Sequence, residues 1–148
     1  MIKLPRMADL YNAYPKPYKK PTPNCTQKKA NGDIAFENQC AIRLSMALIK
    51  CGYSFKNYTD PKCDHGHARG ARSLASFIWR ESGVPKKLLS NISVKGISTA
   101  NGIIYFHNLD GNEGNDHIDI LYKGITQAES AYSNIWTAVE YWYFPINY

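Results

Sequence analysis

The spacing of hydrophobic residues changes along this chain from helical to strand-like, and this change constrains the fold more than any other feature. Between Cys40 and Cys51 apolar residues recur every three or four positions, and Gly52 follows as a helix end. From His117 to Tyr122 polar and apolar residues alternate, as in a strand. The predicted helices are 6–13, 38–50 and 68–82, the predicted strands are 103–107, 117–122 and 138–145, and residues 86–100 favour neither. Helices followed by a run of strands predict an α+β fold with an antiparallel sheet.

The length and hydropathy of the chain exclude several classes of protein. Its 148 residues match one domain of ordinary size, and its 44% hydrophobic content argues against a disordered chain. No apolar run approaches the roughly 18 residues that span a bilayer, so we expect no membrane insertion. The first nine residues lack the apolar stretch of a signal peptide, so we expect no export by the general secretory route. The sequence thus predicts a single domain over residues 1–148.

The positive charge of the chain is concentrated near its amino terminus. The formal net charge is +6, and residues 1–30 hold seven Lys or Arg residues against Asp9 alone. Prolines are frequent in the same region, which predicts an extended, basic arm at about residues 14–30. One hypothesis is that this arm makes the chain a non-enzymatic protein that binds nucleic acid or a protein partner. The other is that the arm is a solvated surface segment.

The four cysteines do not follow the spacing of a common metal site. No Cys-x-x-Cys pair occurs, which argues against a zinc ribbon or finger, and we expect no metal and no cofactor. The tract from Cys63 to His67 holds one Cys and two His that would face one side of an extended chain. A metal there needs a fourth ligand from elsewhere, with His107 as a candidate. An ordinary loop cysteine, or a Cys51–Cys63 disulfide formed after export, is the preferred interpretation.

Cys40 and His117 are the candidate catalytic pair. Cys40 stands at the start of a predicted helix, where the helix dipole and unpaired amides stabilise a thiolate, the nucleophilic form of the side chain. His117 opens a strand after a glycine-rich turn, from which its imidazole could activate the thiol and later protonate a leaving amine. The alternative is that Cys40 is a buried thiol and His117 a hydrogen-bonded strand residue.

The segment around Cys40 resembles a family motif. Residues 38–45 read Asn-Gln-Cys-Ala-Ile-Arg-Leu-Ser and closely resemble the Asn-x-Cys-x-Ile-Arg-x-Ser motif of the fourth family of type VI secretion amidase effectors. Residues 116–124 are similar to that family's Gly-His-x-x-x-Trp and following Gly, and residues 141–145 to its closing aromatic strand. The sequence departs from the pattern in having Asp116 before the histidine and Leu121-Tyr122 at the tryptophan position. The resemblance covers roughly residues 7–145.

This resemblance implies a papain-like fold of the NlpC type, with helices packed on a small antiparallel sheet. It implies that Cys40 is the nucleophile and His117 its base. The carboxylate that orients His117 is either Asp119, on the same strand face, or Glu129, at the acid position of some family members. Three further residues of the Cys40 motif have candidate roles at the substrate: Asn38 or Gln39 as an oxyanion donor, and Arg43 as a contact to a substrate carboxylate or a brace for the adjoining loop.

The resemblance also implies a biological role. Members are antibacterial effectors that leave the producer cytoplasm through the type VI secretion apparatus and act in the periplasm of the target cell. Their substrate is the peptidoglycan stem peptide, cut between D-glutamate and meso-diaminopimelate, and a cognate immunity protein blocks them. A cofactor, nucleic acid and membrane insertion have no part in this activity.

Overall fold

The computed structural model describes residues 1–15, 24–36, 38–89, 99–127 and 137–148. The helices are α1 (Met7–Ala13), α2 (Cys40–Lys50) and α3 (Ala71–Ser82). The strands are β1 (Lys87–Leu89), β2 (Gly102–His107), β3 (His117–Tyr122), β4 (Ile125–Thr126) and β5 (Glu140–Pro145). None of the described helices has the length and hydrophobicity of a membrane span.

The strands form one antiparallel sheet in the order β1-β5-β2-β3-β4. Its three long strands are buried along most of their length because both faces of the sheet are covered. On one face, Tyr105 and Ile118 pack with the apolar sides of the three helices in the main core. On the other face, Ile104, Phe106 and Tyr141 belong to a second cluster. The α+β prediction is therefore confirmed: three helices pack on a five-stranded antiparallel sheet.

The predicted elements agree with the structure except at their ends and at the sheet edges. The strand predicted at 117–122 has the predicted bounds, whereas α2 begins two residues late, at Cys40. The side chain of Asn38 accepts a hydrogen bond from the Cys40 N–H at 3.3 Å, and Asn38 itself lies before Gln39, the N-cap residue of the helix. The third helix begins at Ala71 because Ala68 pairs with Lys62 in an isolated β-bridge. β1 and β4 were not predicted; both are short strands at the edges of the sheet.

The order of the elements determines which residues meet at the candidate site. Helix α2 packs against β3, so its first residue, Cys40, comes near His117, the first residue of that strand. Helix α1 packs on α2 and β3 and delivers the residue that follows it, Tyr14, to the same region.

Candidate active site

Cys40 and His117 lie beside each other at the junction of α2 and β3. Both are buried, with 3% of each residue exposed, and the Cys40 side chain is close enough to the imidazole to raise its pKa. The ring of Phe106 also contacts the imidazole, and the two ring centroids lie 5.5 Å apart. These neighbours fix the plane of the imidazole beside the thiol. The sequence-predicted pair is thus brought together.

His117 is held on its second nitrogen by Asp119. Its Nε2 lies 3.0 Å from Oδ2 of Asp119, which leaves Nδ1 as the nitrogen that faces Cys40. The two residues lie two positions apart on one face of β3, while Ile118 between them points into the core beneath the helices. A thiol, an imidazole and a carboxylate therefore lie one beside the next, and the imidazole and the carboxylate are hydrogen-bonded.

The carboxylate of Asp119 is fully buried and is satisfied on both oxygens. Oδ1 accepts hydrogen bonds from the N–H of Ile120 at 2.8 Å, the N–H of Gln127 at 3.1 Å and the hydroxyl of Tyr14 at 3.3 Å. The turn into β4 makes this possible because it brings Gln127 back alongside β3. Acceptance of these three donors by Oδ1 holds Oδ2 towards His117.

The surroundings of His117 favour its charged form. Burial lowers the pKa of this imidazole, but the hydrogen bonds and charges of Asp119 and Cys40 outweigh burial and raise the pKa to about 9, from an ordinary 6.5. An imidazolium at neutral pH attracts a thiolate at Cys40. The arrangement can therefore supply an activated sulfur nucleophile together with a proton for a leaving group.

Tyr14 is part of this site, although the sequence placed it only at the start of the basic arm. Burial and the charge of Asp119 raise the pKa of Tyr14 well above its ordinary value, so its hydroxyl stays protonated and donates to Asp119. Arg43 also hydrogen-bonds this hydroxyl, and its Nε donates to Oδ1 of Asn24 at 3.1 Å. No sequence signal identifies Tyr14, because its partner Asp119 is 105 residues away.

Arg43 contacts the loop at Asn24. The residue is only 4% exposed, and its Nε donates to Asn24 Oδ1. Of the two roles that the sequence suggests, this placement favours the brace for the adjoining loop, and both roles stay predictions.

Gln39 and Asn38 differ in their access to substrate. The amide of Gln39 is buried and donates to the carbonyls of Cys25 and Phe36, at 2.8 and 3.0 Å, so the backbone uses its side-chain donors. Asn38 is exposed, and its Nδ2 donates to the Asp116 carbonyl at 3.3 Å. Asn38 thus bridges the start of α2 and the turn before β3 at the rim of the site.

An open cavity of about 590 Å³ adjoins Cys40. Its lining includes Asn38, Cys40, Arg69, Arg72, Ser73 and Asp116. The two arginines are exposed, so cationic groups border the volume in which a ligand would contact the thiol. His107 contacts one of these arginines: its Nε2 is 3.5 Å from Arg72, and its Nδ1 is 3.0 Å from the Tyr105 hydroxyl.

Two alternatives that the sequence left open at the cysteines differ from the structure. All four cysteines are free, so Cys51 and Cys63 are not joined, and the neighbour of Cys63 is Cys25. His107, the candidate fourth ligand of the Cys63–His67 tract, instead contacts Tyr105, Arg72 and Asp116. Glu129 and residues 16–23 of the basic arm lie outside the described residues, so their predicted roles stay predictions.

Comparison with known proteins gives one family and several structures of the same fold. The family model of Tae4, type VI secretion system (T6SS) amidase effector protein 4, matches residues 36–143. The type VI effector Tae4 from Enterobacter cloacae is similar with a TM-score of 0.67 and 17% identity over 98% of each chain. The effector–immunity complex Tae4–Tai4 from Salmonella Typhimurium contains a chain with a TM-score of 0.65 and 14% identity, over 96% of this chain and 97% of that one. The effector Tae4 from Salmonella typhimurium, in complex with the immunity protein Tai4 from Enterobacter cloacae, gives a TM-score of 0.58 and 18% identity, over 75% of this chain and 76% of the matched one. No curated protein matches the chain at a significant level.

Proposed function

Because this chain belongs to the Tae4 family of type VI secretion system amidase effectors, we propose that it is an antibacterial cysteine amidase that cleaves the peptidoglycan stem peptide. The observation that carries this proposal is the chain of contacts from Cys40 through His117 to Asp119 beside an open cavity. It is the constellation of a papain-like peptidase, in which a thiol, an imidazole and an orienting acceptor act together. The NlpC-type assignment and the extent of the amidase domain, residues 1–148, belong to the same proposal.

The proposed reaction has two steps. The thiolate of Cys40 attacks the amide carbonyl carbon, and the tetrahedral intermediate collapses to a thioester as the C–N bond breaks and His117 gives its proton to the departing amine. Water then attacks the thioester carbonyl and passes a proton to His117, which releases the acid product and the Cys40 thiolate. Asp119 keeps Nε2 of His117 occupied, so that Nδ1 exchanges the proton in both steps.

The oxyanion of the intermediate is proposed to bind at the start of α2. The Cys40 N–H now donates to Oδ1 of Asn38 over 3.3 Å, a long hydrogen bond that a substrate oxygen can replace. It also lies at a helix N-terminus, where a negative charge is stabilised. Asn38, exposed at the rim, is the candidate side-chain donor, whereas the donors of Gln39 are used by the backbone.

The proposed scissile bond is the γ-D-glutamyl–meso-diaminopimelate bond. A stem peptide carries free carboxylates on both sides of this bond, and Arg69 and Arg72 are the cavity's exposed guanidinium groups among the described residues. Guanidinium forks bind carboxylates with paired hydrogen bonds. We assign these two residues the role that the sequence gave to Arg43.

The family also suggests the route and the partner. We propose delivery by the type VI apparatus from the producer cytoplasm to the target periplasm, and inhibition by a cognate immunity protein. The Salmonella and Enterobacter effectors in complex with Tai4 proteins support the existence of such a partner. Coexpression tests this directly: the neighbouring gene product should bind the chain tightly and restore growth of cells that carry it in the periplasm.

Digestion of purified sacculi tests the activity. Mass spectrometry should find muropeptides cut after D-glutamate with the native chain and none with Cys40→Ala. In parallel, iodoacetamide below pH 7 should label Cys40 faster than the other three cysteines, and His117→Ala should slow this labelling. Release of new amines by Cys40→Ala would overturn the proposal. Uniformly slow labelling, with salt-dependent DNA binding through the basic arm, would favour the non-enzymatic alternative.

A further inference from the structure

A second cluster of thiol and imidazole groups lies outside the candidate active site. Ligand atoms of Cys25, Cys63 and His65 all lie within 4.8 Å of one another. Sγ of Cys25 is 3.6 Å from Nδ1 of His65, and Sγ of Cys63 is 3.6 Å from Nδ1 of His67. Two cysteines and His65, from separate segments, therefore converge, and His67 adjoins this group through its contact with Cys63.

The two measured sulfur-to-nitrogen distances in this cluster match those of a tetrahedral zinc centre. Zinc bonds of about 2.3 Å to sulfur and about 2.0–2.1 Å to nitrogen place adjacent S and N ligands about 3.6 Å apart. Both measured S···N distances have this value. Thiolate and imidazole ligands favour Zn²⁺ over the hard cations Mg²⁺ and Ca²⁺, which prefer oxygen.

Hydrogen bonds hold in place the two segments that carry the cluster, one at Cys25 and the other at residues 63–67. Gln39 accepts a hydrogen bond from the Cys25 N–H at 2.6 Å and donates to the Cys25 carbonyl at 2.8 Å. On the other side, the Cys63 N–H donates to the His67 carbonyl at 2.9 Å, which closes a tight turn. The side chain of Gln27 joins the two segments by accepting from the Asp64 N–H at 2.7 Å.

Burial of the ligands differs in a way that suits metal entry. Cys25 and Cys63 are 2% and 4% exposed and pack with Ile42 of α2, whereas His65 is exposed. The sulfur ligands are therefore shielded from bulk water, and one imidazole can move aside to admit an ion. Binding would release the two thiol protons to solvent, and the dication would offset the two thiolate charges.

We propose that Cys25, Cys63, His65 and His67 bind one Zn²⁺ ion as a structural site. The ion would join the segment at Cys25 to the 61–68 loop, directly beside Gln39 and the start of α2. This inference does not rest on the proposed amidase function. The competing fate of the two thiols is a Cys25–Cys63 disulfide, and the presence of two imidazoles at the cluster favours the metal.

Cobalt and zinc titrations test the site in the full chain carrying Cys40→Ala, which removes the thiol of the candidate active site as a competing ligand. After reduction and removal of metal, Co²⁺ should give a thiolate-to-cobalt charge-transfer band and the strong visible bands of a tetrahedral centre. About one equivalent of Zn²⁺ should displace the cobalt and remove the charge-transfer band and the visible bands. The spectrum reports the ligands directly, so this measurement needs no variant within the cluster.

Variants then assign the ligands. Cys25→Ser, Cys63→Ser and His65→Ala should each weaken Zn²⁺ binding at least about tenfold, while Cys51→Ser, outside the cluster, should not. His65 is exposed, so its replacement leaves the core intact, and circular dichroism checks the fold of all variants. Absence of the charge-transfer band would overturn the proposal, as would an unchanged band in Cys25→Ser. So would a chain isolated with a Cys25–Cys63 disulfide that binds no Zn²⁺ after reduction.

Discussion

The side chains of His117 and Asp119 meet at 3.0 Å although they are neighbours on one strand face, two residues apart. Such neighbours have Cβ atoms about 6.5–7 Å apart, so the contact requires the carboxylate to lean along the strand. Three donors to Oδ1, from Tyr14, Ile120 and Gln127, hold it in that position. We therefore propose Asp119, on the strand that carries His117, as the orienting acid.

Asp119→Asn should lower kcat about 10²–10⁴-fold, the range seen when a triad loses its acid. The amide keeps the shape of the side chain but loses the charge that stabilises an imidazolium. Amine release from purified sacculi measures the effect, and circular dichroism confirms that the variant folds. Glu129→Gln is the matched variant and should cost less than about tenfold. A large loss in Glu129→Gln with near-full activity in Asp119→Asn would reverse the assignment, and near-full activity in both would leave a Cys–His dyad.

Removal of the Cys40 thiol should lower the pKa of His117 from its value of about 9. Cys40 and Asp119 both raise this pKa, and burial opposes them, so Cys40→Ala leaves burial opposed by Asp119 alone. Titration of the His117 ring by NMR measures the shift, with Cys51→Ala as the control that should not change it. An equal or higher pKa in Cys40→Ala would contradict the proposed ion pair.

The raised pKa of His117 also makes the free energy of unfolding depend on pH. The folded pKa of His117, about 9, lies above the ordinary 6.5 expected in the unfolded chain, so the folded state binds the proton more tightly. The stability from this group is complete below pH 6.5 and is lost as the pH rises to about 9. Urea unfolding of the native chain should therefore show a larger loss over this window than unfolding of Cys40→Ala.

Some of these contacts follow from the sequence and others do not. The pairing of His117 with Asp119 is predictable because residues i and i+2 of a strand share a face. The burial of Gln39 and Arg43 is not predictable from the sequence, because their partners lie 14 and 19 residues away in a segment without helical or strand periodicity. β1 escapes prediction because its three residues are largely exposed and are ordered by pairing with β5.

Arg72→Ala should raise KM about tenfold or more with a smaller change in kcat. Arg72 is exposed on the wall of the cavity, where its guanidinium can bind a substrate carboxylate in the ground state and the transition state alike. Arg80→Ala is the matched control, since Arg80 is an exposed arginine on the same helix and is not part of the cavity lining. Steady-state kinetics on a soluble stem-peptide substrate separates the two constants. An equal change in both variants would indicate a general effect of charge.

Tyr14→Phe should lower both activity and stability, because it removes one hydroxyl that links Asp119 to Arg43. Loss of a hydrogen bond to a buried charge costs about 1.5–3 kcal/mol, and the freed carboxylate holds His117 less firmly. We expect the free energy of unfolding to fall by about that amount and kcat to fall several-fold, with KM nearly unchanged.

Tyr11→Phe is the control, because Tyr11 stacks its exposed ring on Tyr122 with centroids 4.1 Å apart, a contact that phenylalanine retains. A change in the pH profile of kcat in Tyr14→Phe, and not in Tyr11→Phe, would identify Tyr14 as a positioning residue that acts through Asp119. Equal stability of the two variants together with an unaltered pH profile would show that the hydroxyl has no such role.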